Sequence, residues 1–227
     1  MRTVAIIVAG GSGTRFGAEV PKQFLELGGR PILMRTIEAF WDNRDGTFDV
    51  IVTLPQGQMA LWQQLCREYG FDVPHRVVAG GETRWHSVKN ALDSIGDIAD
   101  VDVIAVHDGV RPLAGPDLID RVLEAARRDG AAIPVVMVND SVRHVDGNAS
   151  HALDRSTLRA VQTPQAFDAR LLLDAYSLPF ETTFTDDASV VERYGHGVTL
   201  VEGDPMNLKI TRPMDLALAE YLLNTDA

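Results

Sequence analysis

The sequence predicts an α/β protein: a mostly parallel sheet with helices on both faces, plus a protruding β-hairpin arm. Three observations lead there. Short apolar runs rich in β-branched residues alternate with amphipathic segments of helical period along most of the 227 residues, the pattern of strands and helices wound around a parallel sheet. The first such run, Val4 to Ala9, is apolar throughout and too short for an ordinary helix, so it reads as a strand buried on both faces. Between Asn139 and Val161 the rhythm breaks around Asp146-Gly147, a hairpin turn signal between weakly apolar flanks. The architecture expected is Rossmann-like.

Each element has its own warrant. Ile32 to Trp41 has helical spacing, with Leu33, Ile37 and Phe40 on one face, and Phe48 to Leu54 is a strand stopped by Pro55. Gln58 to Tyr69 reads as a helix ended by Gly70, and Val77 to Ala79 as a short strand running into Gly80-Gly81. Arg84 to Ile95 carries the apolar stripe Val88, Ala91, Leu92 and Ile95 of a helix. Val101 to Val106 is a strand ending at His107-Asp108, Pro116 to Arg128 a helix with proline in its first turn, and Ala131 to Val138 a further strand. After the hairpin come helices at Ala169 to Tyr176 and Asp187 to Tyr194, a strand at Val198 to Glu202, and a last helix from Pro213 to Leu223. No internal repeat or linker interrupts the chain, which reads as one domain, 1–227, with an arm at about 139–161. A hairpin so poor in apolar residues stands badly alone in water, and packing it on a second subunit makes a homodimer the expected assembly.

With 45% hydrophobic residues the chain can build a sizeable core. Its formal charge of −11 argues against a nucleic-acid backbone as partner but not against a nucleotide, which needs only a few local cations. The single cysteine, Cys66, excludes an internal disulfide and fits a reducing cytosol; its helical context makes it a packing residue. Met1-Arg2-Thr3 leads straight into the first strand without a signal-peptide layout, and no run of 18 apolar residues occurs. The expectation is a cytoplasmic protein with no membrane partner.

Ligands of open α/β sheets bind outside the carboxyl ends of the parallel strands, and four segments at such ends attract attention. After the first strand, glycine falls at Gly10, Gly11, Gly13 and Gly17, with Arg15 inside the loop and Lys22 beyond it. Backbone amides in such a turn converge on phosphate oxygens, and the two cations make a polyphosphate site a better reading than a plain strand-to-helix turn. It is neither a dinucleotide fingerprint, because Phe16 stands where the third glycine belongs, nor a Walker A loop, which needs Lys-Ser or Lys-Thr. The second segment is Gly80-Gly81-Glu82-Thr83-Arg84 with Ser87 a turn later. Its glycines let main-chain groups approach a planar base, and Ser87 adds a hydroxyl for the base edge, while Thr83 equally reads as a helix N-cap. Core or surface roles suit Trp85 and His86. The third, His107 to Pro112, offers Asp108 to a Mg²⁺ ion, although a turn or cap role is the plain alternative. In the fourth, Asp204 to Pro213, Lys209 sits in a strand-like stretch as a cation on rigid backbone, with a solvated surface lysine as the alternative.

The pattern AGGSGTRFG followed by PKQF resembles the signature loop of nucleotidyltransferases that join a nucleotide to a phosphorylated small molecule. Together with HDGVRP and NLKIT it is most similar to the 2-C-methyl-D-erythritol 4-phosphate cytidylyltransferase family, and matching segments run from Val4 to the last helix. The resemblance implies CTP as co-substrate and Mg²⁺ as cofactor. It assigns the nucleotide to Ala9, Gly10, Gly11 and Gly13 of the loop, cytosine and ribose to Gly80, Gly81, Glu82 and Ser87, and the metal to Asp108. Arg15, Lys22, Arg155 and Lys209 become the catalytic cations. Arg155 would reach from the arm of one subunit into the neighbour's site to grip the phosphate of the accepting polyol. Arg111, Ser141, Thr163, Thr185 and Lys209 would complete that substrate's pocket, although Thr185 and Asp186 alone read as helix caps. Three positions depart from the usual family pattern: Ser141 replaces a threonine, Gly109-Val110 a pair of alanines, and Thr14 a second arginine. The first keeps a hydroxyl, the second is expected to matter little, and the third leaves the loop's cationic role to Arg15. A ribitol 5-phosphate cytidylyltransferase shares the loop and is the alternative reading. A nicotinamide-dependent oxidoreductase lacks its third glycine, and a non-catalytic nucleotide sensor has no need of all four of Arg15, Lys22, Asp108 and Lys209.

Overall fold

The computed structural model describes residues 2–11, 20–41 and 48–225. In chain order the elements are β1 (Arg2–Val8), β2 (Glu26–Leu27), β3 (Arg30–Pro31), α1 (Ile32–Trp41), β4 (Phe48–Leu54), α2 (Met59–Glu68), β5 (Arg76–Ala79), α3 (Arg84–Asp93) and β6 (Val101–Asp108). There follow α4 (Pro116–Asp129), β7 (Ala131–Met137), β8 (Val142–Asp146), β9 (Ala149–Leu153), β10 (Arg159–Val161), β11 (Gln165–Asp168), α5 (Ala169–Ala175), α6 (Asp187–Tyr194), β12 (Thr199–Glu202) and α7 (Pro213–Thr225). The main sheet has the order β10-β7-β11-β6-β1-β4-β5, with β12 also paired to β7. β1 runs parallel to β4 and β6, β4 to β5, and β12 to β7. β10 and β11 run antiparallel to their neighbours and were not expected from the sequence. Both are too short to show a period, and Pro164 stands between them.

Alternate residues of the central strands face opposite layers. Ala5 and Ile7 of β1 pack with Leu33, Phe40, Trp62 and Val122 of α1, α2 and α4. Val4 and Ile6 pack with Val88, Leu92, Leu172 and Val191 of α3, α5 and α6 on the other face. This is why the strand reads as an unbroken apolar run. A smaller cluster of Leu27, Ile32, Val110, Ile210 and Ala219 brings α7 and the segment before it against the end of β6.

The helix expected from Gln58 begins instead with a 3₁₀ turn at Gln56–Gln58, and Gly70 ends it with φ of 59°. The segment carrying Lys209 is not a strand; its rigidity comes from the Ile210 N–H donating to Val110 O at 2.9 Å. β8 and β9 pair with each other, apart from the main sheet, and Asp146 pairs with Ala149. The hairpin loop is therefore Gly147-Asn148, one residue beyond the expected turn, with Gly147 at φ 56°. Apart from half-buried Val142, the arm's strand residues are all exposed. Among the described residues, no helix is long and apolar enough to cross a membrane.

Candidate nucleotide-binding site

Parallel pairing sets the carboxyl ends of four strands side by side. Val8 lies beside Asp108 and Thr53, and Leu54 beside Ala79. The loops leaving β1, β5 and β6 enclose, with Lys209, a cleft of about 260 Å³ whose lining includes Ala9, Gly10, Gly11, Lys22, Glu82, Arg84 and Ser87. Three of the four segments singled out in the sequence are thus contributors through their strand ends, and the fourth arrives through Lys209.

The loops approach so closely that side chains would not fit. A Cβ at Gly81 would lie 2.4 Å from the Cβ of His86, so the backbone can pass there only as glycine. A Cβ at Gly109 would lie 2.8 Å from the Cβ of Ala9 and 3.1 Å from Val8 O, so the position where alanine is usual accepts glycine here for a steric reason. Gln23 ties the Lys22 segment to this corner by donating to Ala9 O at 3.0 Å. Lys22 itself donates to Ile210 O at 3.4 Å across the cleft. In the β5 loop the Gly80 N–H donates to Leu54 O at 2.8 Å, and the Gly81 N–H to Ser87 Oγ at 3.1 Å. The Ser87 hydroxyl donates to Thr83 O at 3.0 Å, while the Thr83 side chain caps α3 by accepting from the His86 N–H. Both readings of this segment therefore hold together: it is a helix entry and a cleft wall.

Charge concentrates at the floor. Asp108 Oδ2 lies 3.0 Å from Lys209 Nζ and 3.0 Å from Arg111 Nε, and Oδ1 lies 4.0 Å from Arg84 Nε. Burial alone would push the Asp108 carboxyl up, but Lys209, Arg84 and Arg111 outweigh it and hold the group well below the usual carboxylate range. Arg84 is in turn held by Asp187, Nη2 to Oδ2 at 2.6 Å. Burial would lower its pKa; the Asp187 carboxylate more than compensates and keeps it cationic.

Behind the floor lies a polar brace that sequence reasoning assigned otherwise. Thr163, expected to line the substrate pocket, is buried; its Oγ1 accepts from the Asp108 N–H at 3.0 Å and lies 3.1 Å from His107 Nδ1. With that hydroxyl donating to Nδ1, His107 donates from Nε2 to Arg111 O at 3.0 Å. Asn207 donates to Thr163 O at 2.7 Å, and its own carbonyl accepts from Arg111 Nη1 at 2.8 Å. Arg111 is thus turned inward, fixing Asp108 to the Asn207 loop. No short-range sequence signal marks this brace, because its members come from β6, the β10–β11 connection and the segment before α7.

Gly13 and Arg15 lie outside the described residues. Ser141, Arg155 and Thr185 are exposed, and none belongs to the described lining of the cleft within one chain. Arg155 donates to Asn139 O at the base of the arm. Thr185 precedes Asp186, which caps α6 in a reciprocal box with Ser189. Among the described residues no group of three or more His, Cys, Asp or Glu side chains could hold a metal unaided.

A cleft bordered by glycines, with Lys22, Arg84 and Lys209 gathered around Asp108, is suited to transferring phosphoryl groups between bound substrates. That chemistry, at the carboxyl end of such a sheet, defines a nucleotidyltransferase. The model of the 2-C-methyl-D-erythritol 4-phosphate cytidylyltransferase family matches residues 3–225, and the chain belongs to that family. Its relatives include the enzyme of that name from Bacteroides fragilis, 50% identical over 224 residues, covering 98% of this chain and 100% of the relative. The Geobacillus kaustophilus protein of the same name is 39% identical over 226 residues, covering 98% of this chain and 97% of its own. The crystal structure of the Thermus thermophilus enzyme superposes with a TM-score of 0.76 at 35% identity, covering 99% of this chain and 100% of that one. That from Francisella tularensis superposes with a TM-score of 0.81 at 30% identity, covering 97% and 99%.

The His107 environment makes a direct prediction. Burial lowers its pKa from 6.5 to about 4, so the folded protein holds it neutral while the unfolded chain binds a proton below pH 6.5. Its contribution is fully present above pH 6.5 and is lost as pH falls toward 4, on the order of 3 kcal/mol in all. Nitrogen-resolved NMR at pH 5 is expected to show a neutral ring protonated at Nε2; a doubly protonated ring would contradict the hydrogen-bond brace.

Proposed function

We propose that this cleft binds CTP and the phosphate of 2-C-methyl-D-erythritol 4-phosphate side by side and transfers CMP between them. The products are 4-diphosphocytidyl-2-C-methyl-D-erythritol and pyrophosphate, the reaction of the family to which the chain belongs. The family match gives no support to ribitol 5-phosphate as acceptor. The observation that carries the site assignment is the convergence of Lys22, Arg84 and Lys209 with Asp108 in the same cleft as the Gly81–Ser87 wall.

An oxygen of the acceptor's phosphate attacks the α-phosphorus of CTP, and the bond from that phosphorus to the β-bridging oxygen breaks as pyrophosphate leaves. The nucleophile is already anionic at neutral pH, so no general base is needed. His107 accordingly stays buried and engaged at both ring nitrogens. Catalysis then consists of positioning and of stabilising charge on the α-phosphoryl oxygens and the leaving group. In this reading Lys22 and Arg15 hold that charge, the role the family pattern gives them, and Lys209 orients the attacking phosphate. Mg²⁺ fits a site of one carboxylate completed by phosphate oxygens and water: Asp108 lines the cleft, with its Oδ1 4.0 Å from Arg84 Nε. When bound there, the ion would neutralise phosphate charge.

Base choice follows from Ser87. Its oxygen already accepts from Gly81 and its proton goes to Thr83 O, which leaves a lone pair for an incoming donor. Cytosine offers an exocyclic amine there and uracil a carbonyl, so the wall suits CTP.

Arg155 and Ser141 belong to this reading through a homodimer. The arm's Val145 and Leu153 are exposed, as are Met137, Val161 and Leu200 on β7, β10 and β12. A second subunit covering these surfaces would seat each arm on the neighbour, where Arg155 grips the acceptor phosphate and Ser141 and Thr185 meet its hydroxyls. Both substrates are soluble phosphates, and the cytoplasm is the proposed compartment.

Pyrophosphate release with Mg-CTP is expected with methylerythritol phosphate and not with ribitol 5-phosphate; silence with both would overturn the reading. Lys22→Ala is expected to lower kcat roughly a hundredfold, as removal of one oxyanion donor does, and near-normal turnover would remove Lys22 from its role. Light scattering at micromolar concentration is expected to give a dimer mass. Mixing the inactive Lys22→Ala and Arg155→Ala proteins should then restore about a quarter of wild-type activity, because half the dimers are mixed and each has one intact site. A monomer mass, or no recovery on mixing, would sink the shared site.

A further inference from the structure

One cation of the cleft, Arg84, lies in the segment the resemblance gives to cytosine and ribose but was not singled out there, and its surroundings are unlike those of the others. Lys22 and Lys209 sit on flexible stems, whereas the Arg84 guanidinium is anchored from behind. Its Nη2 donates to Oδ2 of Asp187, a carboxylate with no exposed side-chain surface. The other oxygen of Asp187 accepts from the Tyr176 hydroxyl at 2.7 Å. The N–H groups of Asp187 and Ala188 both donate to Gln165 Oε1, at 3.1 and 3.0 Å, so the start of α6 cannot swing. Trp85, next to Arg84 in α3, stacks on Tyr176 with ring centroids 5.4 Å apart. The direction of Arg84 is therefore set before any ligand arrives, while 27% of its side chain stays exposed at the cleft.

The anchor also keeps Arg84 off Asp108. Arg111 and Lys209 close to 3.0 Å on that carboxylate, but the Arg84 Nε stops at 4.0 Å, beyond hydrogen-bond reach. An arginine pulled toward Asp187 is left with N–H groups for a third partner. Along the chain it lies within the wall that suits the base, one helical turn before Ser87, and in space it adjoins Asp108 at the phosphate end. The phosphate nearest the ribose has to lie between those two places. We propose that Arg84 binds a nucleotide phosphate there, with Asp187 and Tyr176 as its positioning residues. This rests on the cleft being the CTP site, and planar pairing of guanidinium with phosphate supplies the chemistry.

The test compares CTP and cytidine binding, by calorimetry and NMR titration, in the wild type and in the double variant Arg84→Gln/Asp187→Asn. Removing both charges leaves no lone buried ion, so the melting temperature should stay near that of the wild type. Cytidine affinity is expected to hold while CTP affinity falls roughly tenfold to a hundredfold, the worth of one charge-assisted contact. Unchanged CTP affinity, or equal loss for both ligands, would reduce Arg84 to a packing role. Should the double variant fail to fold, Arg84→Lys keeps a cation for Asp187 and loses the planar fork. There a lower CTP-to-cytidine affinity ratio supports the proposal, and an unchanged ratio overturns it. A wild-type protein that binds neither ligand would instead remove the cytidylyl reading on which the proposal rests.

Discussion

The buried carboxylate of Asp108 is the constraint around which the site is arranged. A lone ion taken out of water costs several kcal/mol, and Asp108 is 8% exposed at the end of a central strand. The chain meets that cost with Arg111 and Lys209 at 3.0 Å and with the more distant Arg84. Each of these cations comes from a different part of the sequence, so one anion fixes the ends of β6, α3 and the segment before α7 relative to one another. The same need explains the neutral His107: a second positive charge beneath Arg111 would have no partner, whereas a neutral ring joins the Thr163 hydroxyl to the Arg111 carbonyl.

The sheet, covered by helices on both faces, makes this possible. Because β1, β4, β5 and β6 run parallel, their loops emerge on one edge, and the glycines let those loops come within contact of each other. The close approach of Gly109 to Ala9 brings the β6 and β1 loops together, and that of Gly81 to His86 folds the β5 loop onto the start of α3. What remains is a narrow cleft whose surface is backbone on one side and cation on the other, the surface that a base joined to a chain of phosphates requires.

Much of this was legible in the residues. The unbroken apolar runs gave β1, β4 and β6, and α1 and α6 occupy the spans expected from their spacing and caps. Lys22, Asp108, Lys209 and the Gly80 segment could be singled out because each follows a readable strand or a distinctive motif. β10 and β11 were hidden by their shortness, and with them the placement of Thr163, which only a three-dimensional view puts behind Asp108. Lys209 was legible as a held cation, but the reason for its rigidity was not: a single backbone bond to Val110 does the work expected of a strand. Asp187 looks in sequence like one more acidic residue in a helix's first turn, and its burial opposite Arg84 depends on a contact between residues 103 positions apart.

An overall charge of −11 and an anionic pair of substrates set a further condition on the site. At physiological ionic strength, fields between exposed charges fade over about 8 Å, so the acidic exterior bears little on events inside the cleft. What counts there is the short-range arrangement, and it mixes two kinds of cation. Arg111, turned inward, serves the carboxylate and the Asn207 carbonyl. Lys22, Lys209 and Arg84 face the space a ligand would fill, and for Lys209 and Arg84 the carboxylates of Asp108 and Asp187 act as counter-ions that a phosphate can supplement. Holding cations in place with buried anions keeps them oriented without neutralising the cleft, and it lets a protein of strongly negative charge present a positive surface to a polyphosphate.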